Sequence, residues 1–336
     1  MAETMTITSK TMEEKQKGRK GDVVATAVIA ALLYELGWTL SPWGIFLVGL
    51  SPLPICLATL ARGRGHGLLV ILLGLPVIYL FSQGGSESYF FFTLGLMGTV
   101  IGTSIRRGVT PKKTVLLATF ILLFLFSLHF LFALIYAGEQ PFALKWAETI
   151  RDTVKIQGTT LIQQLEYQEA SPEEIEGLRL LYDRMITTAF HLAPALLLLI
   201  SVFYAWLFYE LIKLILKKGG YALPKWPTFS LWRVPDTFVW GFIVGWGGML
   251  VGEYKGIELL YLTGLNLRYI FQFIYLLIGL SIVAFYLKKY KVSPFMQAPA
   301  YLLLILFTYP PTFLGVADTW FDFRKLEEKQ ERKELE

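Results

Sequence analysis

Two ionisable residues lie inside stretches that lipid should surround. Glu35 falls about 13 residues into one apolar run, and His129 about 15 residues into another. Charge at that depth is costly and calls for a reason. If both helices start on the same face, at about 1.5 Å per residue the two groups reach similar depths. A Glu–His pair, or two groups facing one cavity, is then allowed. The plainer alternatives are a glutamate reaching back to water and a histidine bonded to a backbone carbonyl. Gln83 and His191, near the ends of their own runs, could line the same cavity. A second polar set stands in "TGLNLRYIFQF": Asn266, Arg268 and, about one turn deeper, Gln272. Arg268 suits an anion, or else pairs with Glu253 or Glu258.

A third set closes the chain, in "LGVADTWFDFRK". Asp318 and Asp322 form DxxxD, as in some Mg²⁺-dependent phosphatidyl transferases, but the upstream stretch "MQAPAYLLLILF" holds no acid to complete a metal site. Continued as a helix, the motif puts Asp318, Asp322 and Lys325 on one face and Trp320, Phe323 and Arg324 on another. Asp322 then pairs with Lys325, and Arg324 snorkels and stacks on Trp320 at headgroup level. Pro310 and Pro311 permit a bend before it, and Asp318 could cap the new helix. The expectation is an interfacial anchor, with a partner-docking element as the alternative. No P-loop, HExxH or GxSxG occurs, so the expectation is no enzyme, no catalytic residue, no metal and no cofactor.

These residues need a membrane to hold them. The 336 residues are 54% hydrophobic and 17% charged, with a mean hydropathy of +0.53. Apolar runs of about 17–25 residues recur, the length a helix needs to cross a bilayer, and they lack the alternation of a β-barrel. The fold class is all-α: a polytopic integral membrane protein with about 8–9 transmembrane helices and an extramembrane helical hairpin. The predicted spans are Asp22–Leu40, Trp43–Ala61, Gly67–Phe81, Tyr89–Ile105, Thr114–Ala137, Thr188–Leu216, Thr237–Gly252, Leu267–Leu287 and Met296–Val316. The domains are a basic cytoplasmic tail (1–21), five helices (22–137), an extracytoplasmic amphipathic insert (138–187), the remaining helices (188–316), and the interfacial motif with a charged tail (317–336).

The net charge of +5 comes largely from Lys and Arg in alternate short loops. That is a signature of orientation rather than of nucleic-acid binding, and it predicts a multi-pass protein of the plasma (inner) membrane with a cytoplasmic N-terminus. The first apolar run lacks a small-x-small cleavage site and reads as an uncleaved helix. Cys56 is the single cysteine, so neither a disulfide framework nor a cysteine metal site is expected.

Within the insert, Phe142, Trp146, Ile150, Val154 and Leu161 recur at helical spacing. A second helix follows, with Ser171 as N-cap, Pro172 at its first position and Glu174 closing a capping box. The hairpin either caps the protein's own face or docks a partner. Small residues mark close helix approaches: Gly241 with Gly245, Gly248 with Gly252, Gly98 with Gly102, and Ala27 with Ala31. Each pair packs within the chain or forms a seam for a partner.

"SPLPICLATLARGRGHG", "LNLRYIFQFIYLLIGLSIVAFYLKK" and "LGVADTWFDFRK" resemble YybS-like membrane proteins, a largely uncharacterised family. Its N-terminal six helices are similar to the substrate-binding S components of energy-coupling-factor transporters. The resemblance implies a subunit that binds a small molecule, leaves ATP hydrolysis to partners, and meets a membrane partner through a small-residue face, here Ala27 and Ala31. The expected function is thus a transporter-like, small-molecule-binding membrane subunit working with membrane protein partners. The alternative is a scaffold that docks membrane proteins through its outer hairpin and Gly-rich faces.

Overall fold

The structure, a computed structural model, describes residues 23–40, 43–82, 85–135, 171–221, 223–224 and 226–325. All regular structure among them is helical: α1 (Val23–Thr39), α2 (Ile45–Leu50), α3 (Pro52–Arg62), α4 (Arg64–Ser82), α5 (Gly85–Arg106), α6 (Pro111–Ile135), α7 (Pro172–His191), α8 (Ala193–Lys218), α9 (Phe238–Lys255), α10 (Glu258–Lys289), α11 (Pro294–Leu306) and α12 (Tyr309–Phe321), with a 3₁₀ turn at Phe229–Leu231. Predicted residues 142–161 and Gln83 lie outside the described residues.

Among the described residues six helical spans are long and apolar enough to cross a membrane, α2 and α3 counting together as Ile45–Arg62, or seven if the bent pair α11–α12 counts as one span. The sequence predicted about eight or nine, and physical reasons separate the two counts. α1 is a 17-residue helix, just short of a full crossing. α9 is diluted by Gly241, Gly245, Gly247, Gly248 and Gly252 and ends in Glu253-Tyr254-Lys255. The predicted ninth span, Met296–Val316, breaks between Leu306 and Tyr309 with a 92° bend. Pro310 and Pro311 hold the first turn of α12, and a residue ahead of proline resists the helical conformation. The bend therefore falls about ten residues before Asp318, and the closing motif through Phe321 belongs to α12.

The chain divides into two compact units, one of residues Met1–Tyr182 and Leu197–Lys225, the other of Asp183–Leu196 and Trp226–Glu336. In the first, α5 is the central helix, packed by α3, α4 and α6. Its Gly95, Gly98, Thr99 and Gly102 are buried. A Cβ on Gly98 would lie 2.8 Å from Pro52 O, and one on Gly102 2.8 Å from Cys56 O, so α3 lies directly on the α5 backbone. Arg106 closes the same junction by donating to Leu60 O and Ala61 O at the C-terminal end of α3. Ala27 and Ala31 are 2% and 0% exposed. That face is spent on packing within the unit and is no free surface for a partner.

α7 opens with the predicted capping box. Glu174 accepts from the Ser171 N–H at 2.9 Å, and the Glu174 N–H donates to Ser171 Oγ at 3.3 Å. No residue of α7 is buried.

Candidate anion-binding site

In the second unit α9 and α10 pack along a glycine seam. A Cβ on Gly245 would lie 2.5 Å from Arg268 N, and one on Gly248 3.3 Å from Gly264 Cα. Gly252 abuts the Tyr261 backbone, Gly264 the Met249 backbone, and Gly241 the Phe271 ring. Above and below, Phe238 meets Phe271 and Phe242 meets Tyr275 edge to face. Without a hydrophobic effect between helices in lipid, such backbone contact is what dispersion requires. The four glycines singled out on α9 thus face α10 of the same chain.

This approach presses Arg268 against α9. Its guanidinium carbon sits 4.2 Å from the Trp246 ring centroid and 5.2 Å from that of Tyr269. Nη1 donates to Met249 Sδ at 3.3 Å, a weak acceptor. Nε is buried and has no hydrogen-bond partner among the described residues. No carboxylate pairs with Arg268 among them. Glu253 and Glu258 instead line an open groove of about 270 Å³ with Gly252, Gly256 and Tyr261. The predicted Arg268–Glu alternative is therefore not formed. One turn along α10, Gln272 Oε1 is likewise buried without a partner among the described residues.

Depth follows from arithmetic. From Lys288, near the end of α10, to Arg268 is 20 residues, about 30 Å of helix, the thickness of the hydrocarbon core. Counted from a membrane face at Lys288, Arg268 would fall one hydrocarbon thickness along α10, at the end opposite its lysines.

Asn266 has a different task. Its Nδ2 donates to His191 O at 2.7 Å and to Leu262 O at 2.8 Å, while its Oδ1 accepts from the Ala195 N–H at 2.9 Å. His191 O and the Ala195 N–H are an i, i+4 pair that a continuous helix would bond directly. The Asn266 carboxamide is inserted between them, at the break from α7 to α8 where Pro194 supplies no N–H. The His191 ring meets Tyr261 edge to face. Neither Asn266 nor His191 is free to bind a solute through the groups so engaged.

The expected Glu35–His129 pair does not form. The His129 ring stacks on Tyr89 at 4.8 Å and 22°, and Tyr89 donates its hydroxyl to Leu125 O. Tyr34, beside Glu35, donates to Glu87 O at 2.9 Å, whereas Glu35 Oε1 is buried without a partner among the described residues. Both helices meet the start of α5, but at different residues. His191 belongs to the other unit.

The closing motif is also revised. α12 ends at Phe321, and Asp322 takes a left-handed conformation (φ 34°), so the two helical faces expected through Lys325 do not exist. The Arg324 side chain is 0% exposed rather than snorkelling. It pairs with Asp318 at 2.7 Å and donates to Ser281 Oγ at 2.8 Å and Ser230 O at 3.1 Å. Asp318 does not cap a helix start. Its other oxygen accepts from the Phe323 N–H at 3.0 Å, just past the helix end. Trp320 is 64% exposed, and the motif is a buried clasp.

Trp246, Met249 and Tyr269 were missed as parts of the Arg268 site. Their signal was available, since Trp246 and Met249 flank the glycine stripe of α9. No group of three or more His, Cys, Asp or Glu residues placed to hold a metal occurs among the described residues. A family model described as "Predicted membrane protein (DUF2232)" matches residues 28–319. No curated protein and no solved structure matches the chain.

Proposed function

Because the chain belongs to the DUF2232 family of predicted membrane proteins, we propose that this multi-pass protein binds a small anion at Arg268 as a transporter-like subunit. It is not an enzyme in this reading, and any energy it uses comes from partner proteins, since its sequence carries no P-loop. The lysines and arginines of alternate loops support a plasma-membrane location with a cytoplasmic N-terminus.

One observation carries the proposal. A guanidinium is always charged, and the one on Arg268 is held by two ring faces and a thioether, with no carboxylate among the described residues. Its planar fork matches a carboxylate or phosphate. The test is calorimetry on protein in nanodiscs with acetate, succinate, phosphate and sulfate. Binding of at least one of them, lost in Arg268→Gln, is expected. No binding, or binding indifferent to that substitution, overturns the proposal.

A docking role is a second reading, favoured by α7. Leu180, Leu181 and Met185 on this helix are more than half exposed. Gentle extraction should then retain a stoichiometric membrane partner that Leu181→Ser and Met185→Ser release.

A further inference from the structure

Arg268 Nε and Gln272 Oε1 are buried polar atoms of opposite hydrogen-bonding sense, a donor and an acceptor, and neither has a partner among the described residues. A buried group left unmet costs about 1–3 kcal/mol, and two on one helix face are two such costs. At i and i+4 they share the face of α10 that carries Phe271 and Tyr275 against α9. Their backbones stand about 6 Å apart along the axis.

From this pair we infer that the ligand of the site is a hydroxylated or aminated carboxylate. Its carboxylate meets Arg268, and an O–H or N–H several bonds away donates to Gln272. The inference rests on the reading of Arg268 as an anion site and adds Gln272 as the residue that determines specificity. Inorganic oxyanions are too compact to bridge one helical turn, so they satisfy Arg268 alone. The Trp246 ring lies 4.2 Å from the guanidinium carbon and Nη1 is engaged by Met249, which leaves the unpartnered Nε for the carboxylate.

The probes are 4-hydroxybutanoate and pentanoate, which differ by a methyl in place of the hydroxyl. Both are titrated by calorimetry into the full chain in nanodiscs. The hydroxy acid should bind at least about tenfold more tightly, because pentanoate leaves the Gln272 oxygen unmet. Gln272→Met keeps the volume and removes the acceptor. It should bring the two acids to within about twofold of each other without weakening pentanoate. Gln272→Glu sets a carboxylate one turn from Arg268 and should weaken both acids at least about tenfold by pairing with the guanidinium.

Equal binding of the two acids to the wild type overturns the inference, as does a preference that survives Gln272→Met. In either case Arg268-dependent binding stands, and so does the proposed function. Binding of phosphate or sulfate but of neither acid also overturns the inference alone. Loss of all anion binding removes the proposed function and this inference together.

Discussion

Asp318 and Arg324 meet at 2.7 Å with side chains 3% and 0% exposed, an ion pair cut off from solvent and lipid alike. The arginine reaches Ser281 on α10 and Ser230 in the 3₁₀ turn. The pair thereby ties the end of the described chain to two distant segments of its unit.

Removing one partner should leave the other as an uncompensated buried charge. Arg324→Met or Asp318→Leu alone is expected to cost about 3–5 kcal/mol, and the double substitution much less than the sum. Denaturant unfolding of the two single variants and the double variant checks this through the coupling term.

Asn266→Leu should expose the broken ladder. With the carboxamide gone, the Ala195 N–H and His191 O lose their partner, at about 1–3 kcal/mol. Hydrogen exchange at the Ala195 amide should quicken by about tenfold or more. Asn266→Asp keeps an acceptor for Ala195 but no donor for His191 O and should fall between the two.

The glycine seam makes a graded prediction. Gly264→Ala drives a Cβ into the Met249 backbone and should destabilise by several kcal/mol, at the upper end for overpacking. A Cβ on Gly247 meets nothing within 4 Å. Gly247→Ala should be neutral or slightly stabilising through helix propensity. Thermal melts in one detergent compare the two directly.

Glu35→Gln should leave thermal stability unchanged or raise it. Glu35 Oε1 has no partner among the described residues to lose, and the amide carries no charge into the lipid. A fall of more than about 2 °C, roughly 1 kcal/mol for a unit of this size, would contradict this.

Helices were legible in the sequence because lipid imposes a plain rule: a run of apolar residues must satisfy its own backbone. The α7 capping box was legible because both partners lie within four residues. The glycine pairs announced close packing, but not which helix would fill them. Legibility failed where partners are distant in the chain. Arg324 looked like a surface anchor because Ser230 and Ser281 lie 94 and 43 residues away. Arg268 could not be told from a salt-bridged arginine until Glu253 and Glu258 were seen elsewhere. Glu35 and His129 had matching depth, but depth says nothing about azimuth, and rotation about each helix axis decides who meets whom.

The 32 residues of α10 come to about 48 Å, some 18 Å more than the hydrocarbon they cross. The surplus makes the helix a gauge of its host bilayer. Where the lipid is thicker by about 3 Å, two more residues are submerged, and Arg268 is among the first to be drawn under. A cation poised at that waterline would feel acyl-chain length as a change in its own hydration, so the proposed affinity for an anion would be set jointly by the protein and by the membrane around it.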